Sequence, residues 1–216
     1  HALEYLEDFF KQHPKQKVML AGHSKGGNLA VFAASQIQPE LRDKISAIYT
    51  YDAPGLQAHL TETTGYQDVI PKIRRYVPQG SVIGMMLEVP DTPIVVKSTA
   101  LGGIAQHSTF SWLTEGQHFV QLEAISSESL QIKDTLKEWV DSVPDEELEL
   151  YFNLFFGTIL ESGINSINDL SSITAIEHIH QLVVQAQNLE PQQVEILKNL
   201  TQLLLDARFQ AWKNHF

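Results

Sequence analysis

The sequence predicts an α/β fold over residues 1–125, followed by an all-helical extension over 126–216. Three observations carry this. The run Val18-Met19-Leu20-Ala21-Gly22-His23-Ser24-Lys25-Gly26-Gly27-Asn28-Leu29-Ala30 passes from a strand, through a sharp turn with Ser24 at its tip, into a helix. Further runs rich in β-branched and aromatic residues at 45–51, 73–77 and 94–98 are separated by polar or helix-patterned segments. From Ser127 onward the apolar residues recur at helical spacing instead.

Taken in order, residues 2–12 place Leu3, Leu6, Phe9 and Phe10 on one helical face, and His13-Pro14 ends that helix. Four apolar residues between Lys17 and Gly22 suit a buried strand, and Leu29, Ala30, Ala33 and Ala34 suit a tightly packed helix. Residues 39–44 read as a polar connection. Residues 45–51 read as a second strand that ends at Asp52 and is broken by Pro54-Gly55. A polar, partly helical segment over 57–72 leads to a third strand at 73–77, which Pro78-Gln79-Gly80 terminates. One short helical turn over 81–87 and a proline-rich turn at 90–93 precede a fourth strand at 94–98. A glycine-rich loop over 101–112 contains His107, and the alternation over 118–125 predicts a fifth strand. Helices are expected over 130–143, 144–162, 174–189 and 191–216. Pro144 stands at a first-turn position with Asp145, Glu146 and Glu147 behind it, and Ile196, Leu200, Leu203 and Leu204 suit an antiparallel helical hairpin.

Between the first strand and its helix lies Gly22-x-Ser24-x-Gly26. The spacing has a steric reason: the serine is held in a strained conformation, strand and helix crowd together beside it, and a Cβ at Gly22 or Gly26 is expected to collide. The result is a hydroxyl presented at a helix N-terminus. There the backbone N–H of Lys25 points at a developing oxyanion and the helix dipole favours that charge. A phosphate-binding loop requires Gly-x-x-x-x-Gly-Lys-Ser/Thr, whereas here Lys25 follows the serine.

Gly22-His23-Ser24-Lys25-Gly26-Gly27-Asn28-Leu29-Ala30 resembles the elbow of the class 3 (fungal-type) lipases, which carry Leu where this chain has Lys25. The form with Lys is more similar to a bacterial lipase-like family of unknown function. Tyr49-Thr50-Tyr51-Asp52-Ala53-Pro54-Gly55 is similar to the next block of those lipases, an apolar strand running into a Phe-Gly-Ala-Pro-like turn. The resemblance covers residues 1–125 and implies an α/β-hydrolase fold. Such a sheet has strands upstream of the nucleophile strand, and none precedes it here. The resemblance therefore implies the C-terminal part of an α/β-hydrolase sheet, completed by a missing N-terminal segment or by a protein partner, with the second oxyanion donor on the absent part.

In hydrolases of this fold the chain order is Ser, then Asp or Glu, then His, which implies Ser24 as nucleophile and His107 as base. His107 follows a predicted sheet strand, and Gln106-His107-Ser108 resembles the histidine block of the lipase-like family. His118, at a strand start beside Phe119, is its rival, while His23 is expected to pack or line the site. His178 and His180 lie two apart on a helix, face different ways and make a poor metal pair. Class 3 lipases place the acid after the strand corresponding to 73–77, in an Asp-x-Val-Pro-like turn, where this chain has Ser81-Val82. That departure directs attention to Asp52, whose other reading is a turn-capping aspartate before Pro54. Asp91, in Asp-Thr-Pro, is a third candidate. Lys25 supplies the oxyanion hole through its backbone, with its amine facing solvent. Met85-Met86-Leu87 and Leu101-Gly102-Gly103-Ile104 read as core or as the lining of an acyl pocket. Residues 148–160, apolar on nearly every face, read as a buried helix or as a lid.

A chain of 216 residues that is 43% hydrophobic and 19% charged is long and apolar enough for one large domain or a domain with a helical appendage. Of the formal net charge of −11, residues 1–120 contribute −1 and residues 121–216 contribute −10. That balance argues against nucleic acid and anionic membrane surfaces as partners. No apolar run is long enough for a transmembrane helix. The absence of cysteine excludes disulfides and thiolate chemistry and fits a cytosolic or a Gram-positive source without fixing the compartment; a cytoplasmic location is the one expected. The function expected is a serine hydrolase (esterase or lipase) acting on a small-molecule or lipid ester through an acyl-enzyme, with no cofactor and no metal. The alternatives are an acyltransferase using the same acyl-enzyme, and an inactive hydrolase-fold scaffold whose helical tail binds a partner.

Overall fold

A computed structural model describes residues 1–150 apart from 90, 91, 102, 104, 145 and 148, together with residues 153, 191, 194, 195 and 198. The chain opens on helix α1 (Ala2–Gln12), which turns Leu6 and Phe10 inward. Strand β1 (Val18–His23) follows and runs into helix α2 (Lys25–Gln36). A short helix α3 (Pro39–Arg42) leads to strand β2 (Ile45–Tyr51). Helices α4 (Ala58–Thr61) and α5 (Thr64–Val69) connect β2 to strand β3 (Ile73–Pro78), and strand β4 (Ile94–Val96) comes next. Three two-residue strands, β5 (Thr114–Glu115), β6 (His118–Phe119) and β7 (Gln121–Leu122), precede helix α6 (Ser127–Ser142).

Strands β1 to β4 pair in parallel in chain order, and β7 adds to β4 antiparallel, giving a mostly parallel five-stranded sheet with β1 at one edge. Successive parallel strands need crossovers, and helices α2 and α5 supply two of them. One face of the sheet is the core. Ile45 and Ile48 of β2 meet Leu6 and Phe10 of α1, Val31 and Ala34 of α2, and Tyr66 and Val69 of α5. Fully burying one such Ile or Phe side chain is worth about 1.5–3 kcal/mol. The small residues on α2 let it lie close to the strands that carry the site.

The other face bears aromatic rings: Tyr51 stacks on Tyr76 at 5.6 Å, and Trp112 meets Phe119 edge-on at 5.4 Å. The apolar run of β1 suits a buried strand, but at the sheet edge none of its residues is buried: they alternate between half-buried and exposed, and Met19 is 67% exposed. Burial pushes the Tyr51 phenol up from its ordinary value, and Coulombic contact with Tyr76 and then Tyr49 adds to the rise.

The chain forms two units, His1–Lys133 and Asp134–Phe216. The helices expected over 144–162, 174–189 and 191–216, and the apolar segment 148–160, fall mainly outside the described residues. No helix among the described residues is long and apolar enough to cross a membrane.

Two further expectations are corrected. The fifth strand predicted over 118–125 is divided. Its start pairs with β5 in a separate ribbon closed at Gly116, whose φ of +60° a side chain rarely adopts, and only Gln121 and Leu122 join the main sheet. Val120 is the point of division: its N–H donates to the carbonyl of Leu113 while its carbonyl accepts from the N–H of Lys97. The polar connection predicted over 39–44 contains α3, and it ends on a buried cation. The Arg42 guanidinium donates to the carbonyls of Ala34, Ser35 and Ile37 and pairs with Asp68 at 2.6 Å. It thereby supplies donors to the last carbonyls of α2, which helical geometry leaves without partners.

Two outcomes follow for stability. Arg42→Lys keeps the charge but loses the planar fork, and is expected to lower the unfolding free energy by about 1–3 kcal/mol; an unchanged urea midpoint contradicts this role. For Tyr51, a raised folded-state pKa contributes stability that is present below the unfolded value near ~10 and lost as the pH rises through the folded one. Tyr51→Phe is therefore expected to retain more of its neutral-pH melting temperature at strongly alkaline pH than the parent chain.

Candidate active site

The site begins where β1 ends. Ser24 has φ 54° and ψ −129°, a left-handed conformation that a residue with a side chain rarely adopts. Hydrogen bonds hold it there from both sides. Its N–H donates to the Tyr51 carbonyl at 3.0 Å, and its carbonyl accepts from Gly27 at 3.0 Å and Asn28 at 3.3 Å to start α2. Lys25 is the first residue of the helix, so its N–H has no intrahelical acceptor. The Lys25 ammonium donates to Asn28 Oδ1 at 2.7 Å, and Asn28 Nδ2 donates to the Gly55 carbonyl at 2.5 Å, tying the start of α2 to the loop after β2.

The crowding at this turn differs in one place from that expected. A Cβ at Gly22 would lie 2.3 Å from the carbonyl carbon of Gly26, as anticipated, but a Cβ at Gly26 would meet nothing within 4 Å. The second crowded position is Gly27, where a Cβ would lie 2.5 Å from Ala53 Cβ and 2.8 Å from the Gly22 carbonyl oxygen. Gly26 is exposed, whereas Gly27 is buried against the start of the loop after β2.

The adjacent strand delivers Asp52 in the same way. His23 and Tyr51 are register partners, so Ser24 and Asp52 leave neighbouring parallel strands at one level, outside their carboxyl ends. Asp52 also has a positive φ, 43°, and its side chain is fully buried. A buried carboxylate needs donors in place of water. Oδ2 accepts from His107 Nδ1 at 2.7 Å, and Oδ1 accepts from Ser81 Oγ at 2.5 Å and from the Gly84 N–H at 3.1 Å. The side-chain partners of Asp52 are therefore distant in sequence and do not belong to its own turn.

His107 closes a 3₁₀ turn, Ala105–His107, and is 5% exposed. Its neighbours anchor it. Gln106 accepts from the Gly80 N–H at 2.8 Å and donates to the Ala100 carbonyl at 3.1 Å, and the Trp112 indole donates to the Gln106 carbonyl at 2.8 Å. His23 donates from Nε2 to the His107 carbonyl at 2.8 Å, and the two rings lie 4.4 Å apart at 33°. The residue immediately before Ser24 thus rests on the His107 ring, which brings the strand end and the histidine loop together. With its Nδ1–H donated to Asp52, the neutral His107 ring carries its lone pair on Nε2.

His118 lies on β6, opposite Glu115 in the small ribbon, and it is His107 that bonds to Asp52. Asp91, Gly102 and Ile104 lie outside the described residues. Met85 is 3% exposed and packs with Val77 and Val95, as core. Leu87 and Leu101 are exposed, and the pocket lined by Val31, Ala53, Leu56, Tyr66 and Val89 includes neither segment expected to receive an acyl chain. Among the described residues no cluster of three or more His, Asp or Glu side chains offers a metal-ligand set. Sequence reasoning missed Ser81, Gly84, Gln106 and Asn28 as supports of the site. For Ser81 a signal existed, since it occupies the turn in which the lipases it resembles carry their acid.

The glycines give a direct test. Gly26→Ala is expected to leave stability unchanged or raise it by up to about 1 kcal/mol, because alanine favours the helix. Gly22→Ala and Gly27→Ala are each expected to cost about 2 kcal/mol or more through backbone overlap. Thermal unfolding of the three variants checks this, and equal midpoints for all of them contradict it.

No curated protein and no solved structure matches the chain. Residues 1–157, more than half of the 216, match the model of the Mbeg1-like family, which is lipase-like. The chain belongs to the Mbeg1-like family.

Proposed function

We propose that this chain is a serine hydrolase that cleaves carboxylic esters of small molecules or lipids through an acyl-enzyme. The observation that carries the reading is the 2.7 Å hydrogen bond between buried Asp52 and Nδ1 of His107, beside the strained turn that presents Ser24. Buried, the pair is shielded from water, and an imidazole held by a carboxylate at Nδ1 has Nε2 as the atom that takes the serine proton in this reading.

In the forward step Ser24 Oγ attacks the ester carbonyl carbon while His107 Nε2 takes the hydroxyl proton. The carbonyl π electrons move to oxygen, where the Lys25 N–H and the positive end of α2 stabilise the anion. Collapse of this intermediate expels the alcohol, which receives the proton from Nε2, and leaves the acyl group on Oγ. Water then attacks the acyl-enzyme with His107 again as base, and the acid departs as Ser24 regains its proton. Asp52 balances the imidazolium in both halves. No cofactor enters the scheme.

The inactive-scaffold alternative is favoured by the substituted acid position at Ser81 and by the lack of strands upstream of β1. The Asp52–His107 hydrogen bond counts against the first of these and leaves the second. The outer edge of β1 pairs with no strand among the described residues, and a further strand, from this protein or from a partner, would be added there.

A fluorophosphonate probe is expected to label the 216-residue chain and to leave Ser24→Ala unlabelled. Hydrolysis of p-nitrophenyl butyrate is expected to fall to background in Ser24→Ala and His107→Ala, and by about 10³- to 10⁴-fold in Asp52→Asn. Equal labelling of parent and Ser24→Ala sinks the reading. Product analysis with added alcohols identifies the acyl acceptor: free acid marks hydrolysis, and a new ester marks transfer.

A further inference from the structure

The turn after β3 delivers a second side chain to Asp52. Ser81 is fully buried, and its backbone N–H donates to the Pro78 carbonyl at 3.0 Å. Its hydroxyl donates to Asp52 Oδ1 at 2.5 Å and accepts from the Gly84 N–H at 3.0 Å. A hydroxyl has one proton and two lone pairs. Gly84 occupies a lone pair, so the proton is directed to Asp52. The same Gly84 N–H lies 3.1 Å from Oδ1, closing a three-membered cluster of serine, aspartate and backbone amide.

Two features hold that cluster in place. A Cβ at position 84 would lie 2.6 Å from Asp52 Oδ1 and 2.7 Å from Ser81 Oγ, so the approach exists only with glycine there. On the other side, buried Arg75 of β3 donates through Nη2 to the Gly84 carbonyl and grips the same residue. The consequence concerns rotation of a carboxylate. Rotation about the Cβ–Cγ bond moves both oxygens, and the His107 hydrogen bond alone is a single restraint on it. Two donors on Oδ1 add restraints from the opposite side and hold the rotamer in which Oδ2 meets Nδ1.

We propose that Ser81 is a positioning residue for the Asp52–His107 pair, setting the carboxylate rotamer that orients the imidazole. Its kinetic consequence rests on the serine-hydrolase reading; its structural consequence does not. The test compares the parent chain with Ser81→Ala, which removes only the hydroxyl, and with Ser81→Thr, which keeps it. Two signals are read: turnover of p-nitrophenyl butyrate, and the far-downfield proton resonance of the His107–Asp52 hydrogen bond, assigned by its loss in His107→Gln.

Ser81→Ala is expected to lower kcat by about 10- to 100-fold, the loss of one hydrogen bond to a charged group, with KM little changed. Its downfield resonance is expected to shift or broaden, while its circular dichroism stays that of the parent. Ser81→Thr, where it retains the parental circular dichroism, is expected to restore both signals. A Ser81→Ala protein with parental kcat and an unmoved resonance overturns the proposal, as does a rise in KM alone. A parent chain that shows the resonance without turnover ends the hydrolase reading, and the shift in Ser81→Ala then still decides the role of Ser81.

Discussion

A carboxylate taken wholly out of water must find its hydrogen bonds within the protein, and that requirement on Asp52 organises the site. Its donors come from three separate stretches of chain: His107 from the loop beyond β4, Ser81 from the turn after β3, and the amide of Gly84 a few residues later. None of these bonds forms without the parallel pairing of β2, β3 and β4, because that pairing brings the loops to one end of the sheet. Breaking one of them leaves a buried charge under-satisfied, which costs more than the bond itself contributes. The fold and the proposed chemistry therefore meet at a single side chain.

The second constraint is the turn at Ser24. A positive φ at a residue with a side chain costs about 1–3 kcal/mol and persists only where its surroundings over-determine it. Here they do. The preceding strand is paired to β2, the Ser24 N–H is bound by Tyr51, and the helix that follows is fastened at its far end by the Arg42 guanidinium. The small residues Gly22 and Gly27 allow the helix to approach the strands closely enough for this geometry. Helix α2 is thus held at both ends, and the exposed N–H groups at its start remain directed at the space beside Ser24.

The parts of this structure legible in the sequence are those that depend on local pattern. The strand, turn and helix around Ser24 could be read because glycine spacing, apolar runs and small-residue helices are local signatures. The strands at 45–51 and 73–77 were legible for the same reason. The motif marked the crowded region but not which glycine faces the neighbouring loop, since that depends on where Ala53 sits. Alternation over 118–125 could not reveal that Val120 bonds to two different neighbours, because backbone pairing partners are a tertiary property. At the site, chain order pointed to His107 and the departure from the lipase acid turn at Ser81-Val82 directed attention to Asp52, and the structure brings the two into hydrogen-bond contact. The turn that holds Ser81 was marked by the lipase resemblance, but the partner of its hydroxyl and the Gly84 amide were out of reach, because hydrogen bonds between residues 29 and 32 positions apart leave no periodic trace.

The central claim is that the strained turn, the Lys25 amide and the His107–Asp52 pair converge on one reacting atom. The most direct measurement is a crystal structure of the chain after reaction with diethyl p-nitrophenyl phosphate. The account predicts phosphorus bonded to Ser24 Oγ, a phosphoryl oxygen on the Lys25 N–H, and His107 Nε2 within hydrogen-bond reach of the adduct. An adduct on another residue, or one on Ser24 with the His107 imidazole turned away from it, contradicts the account.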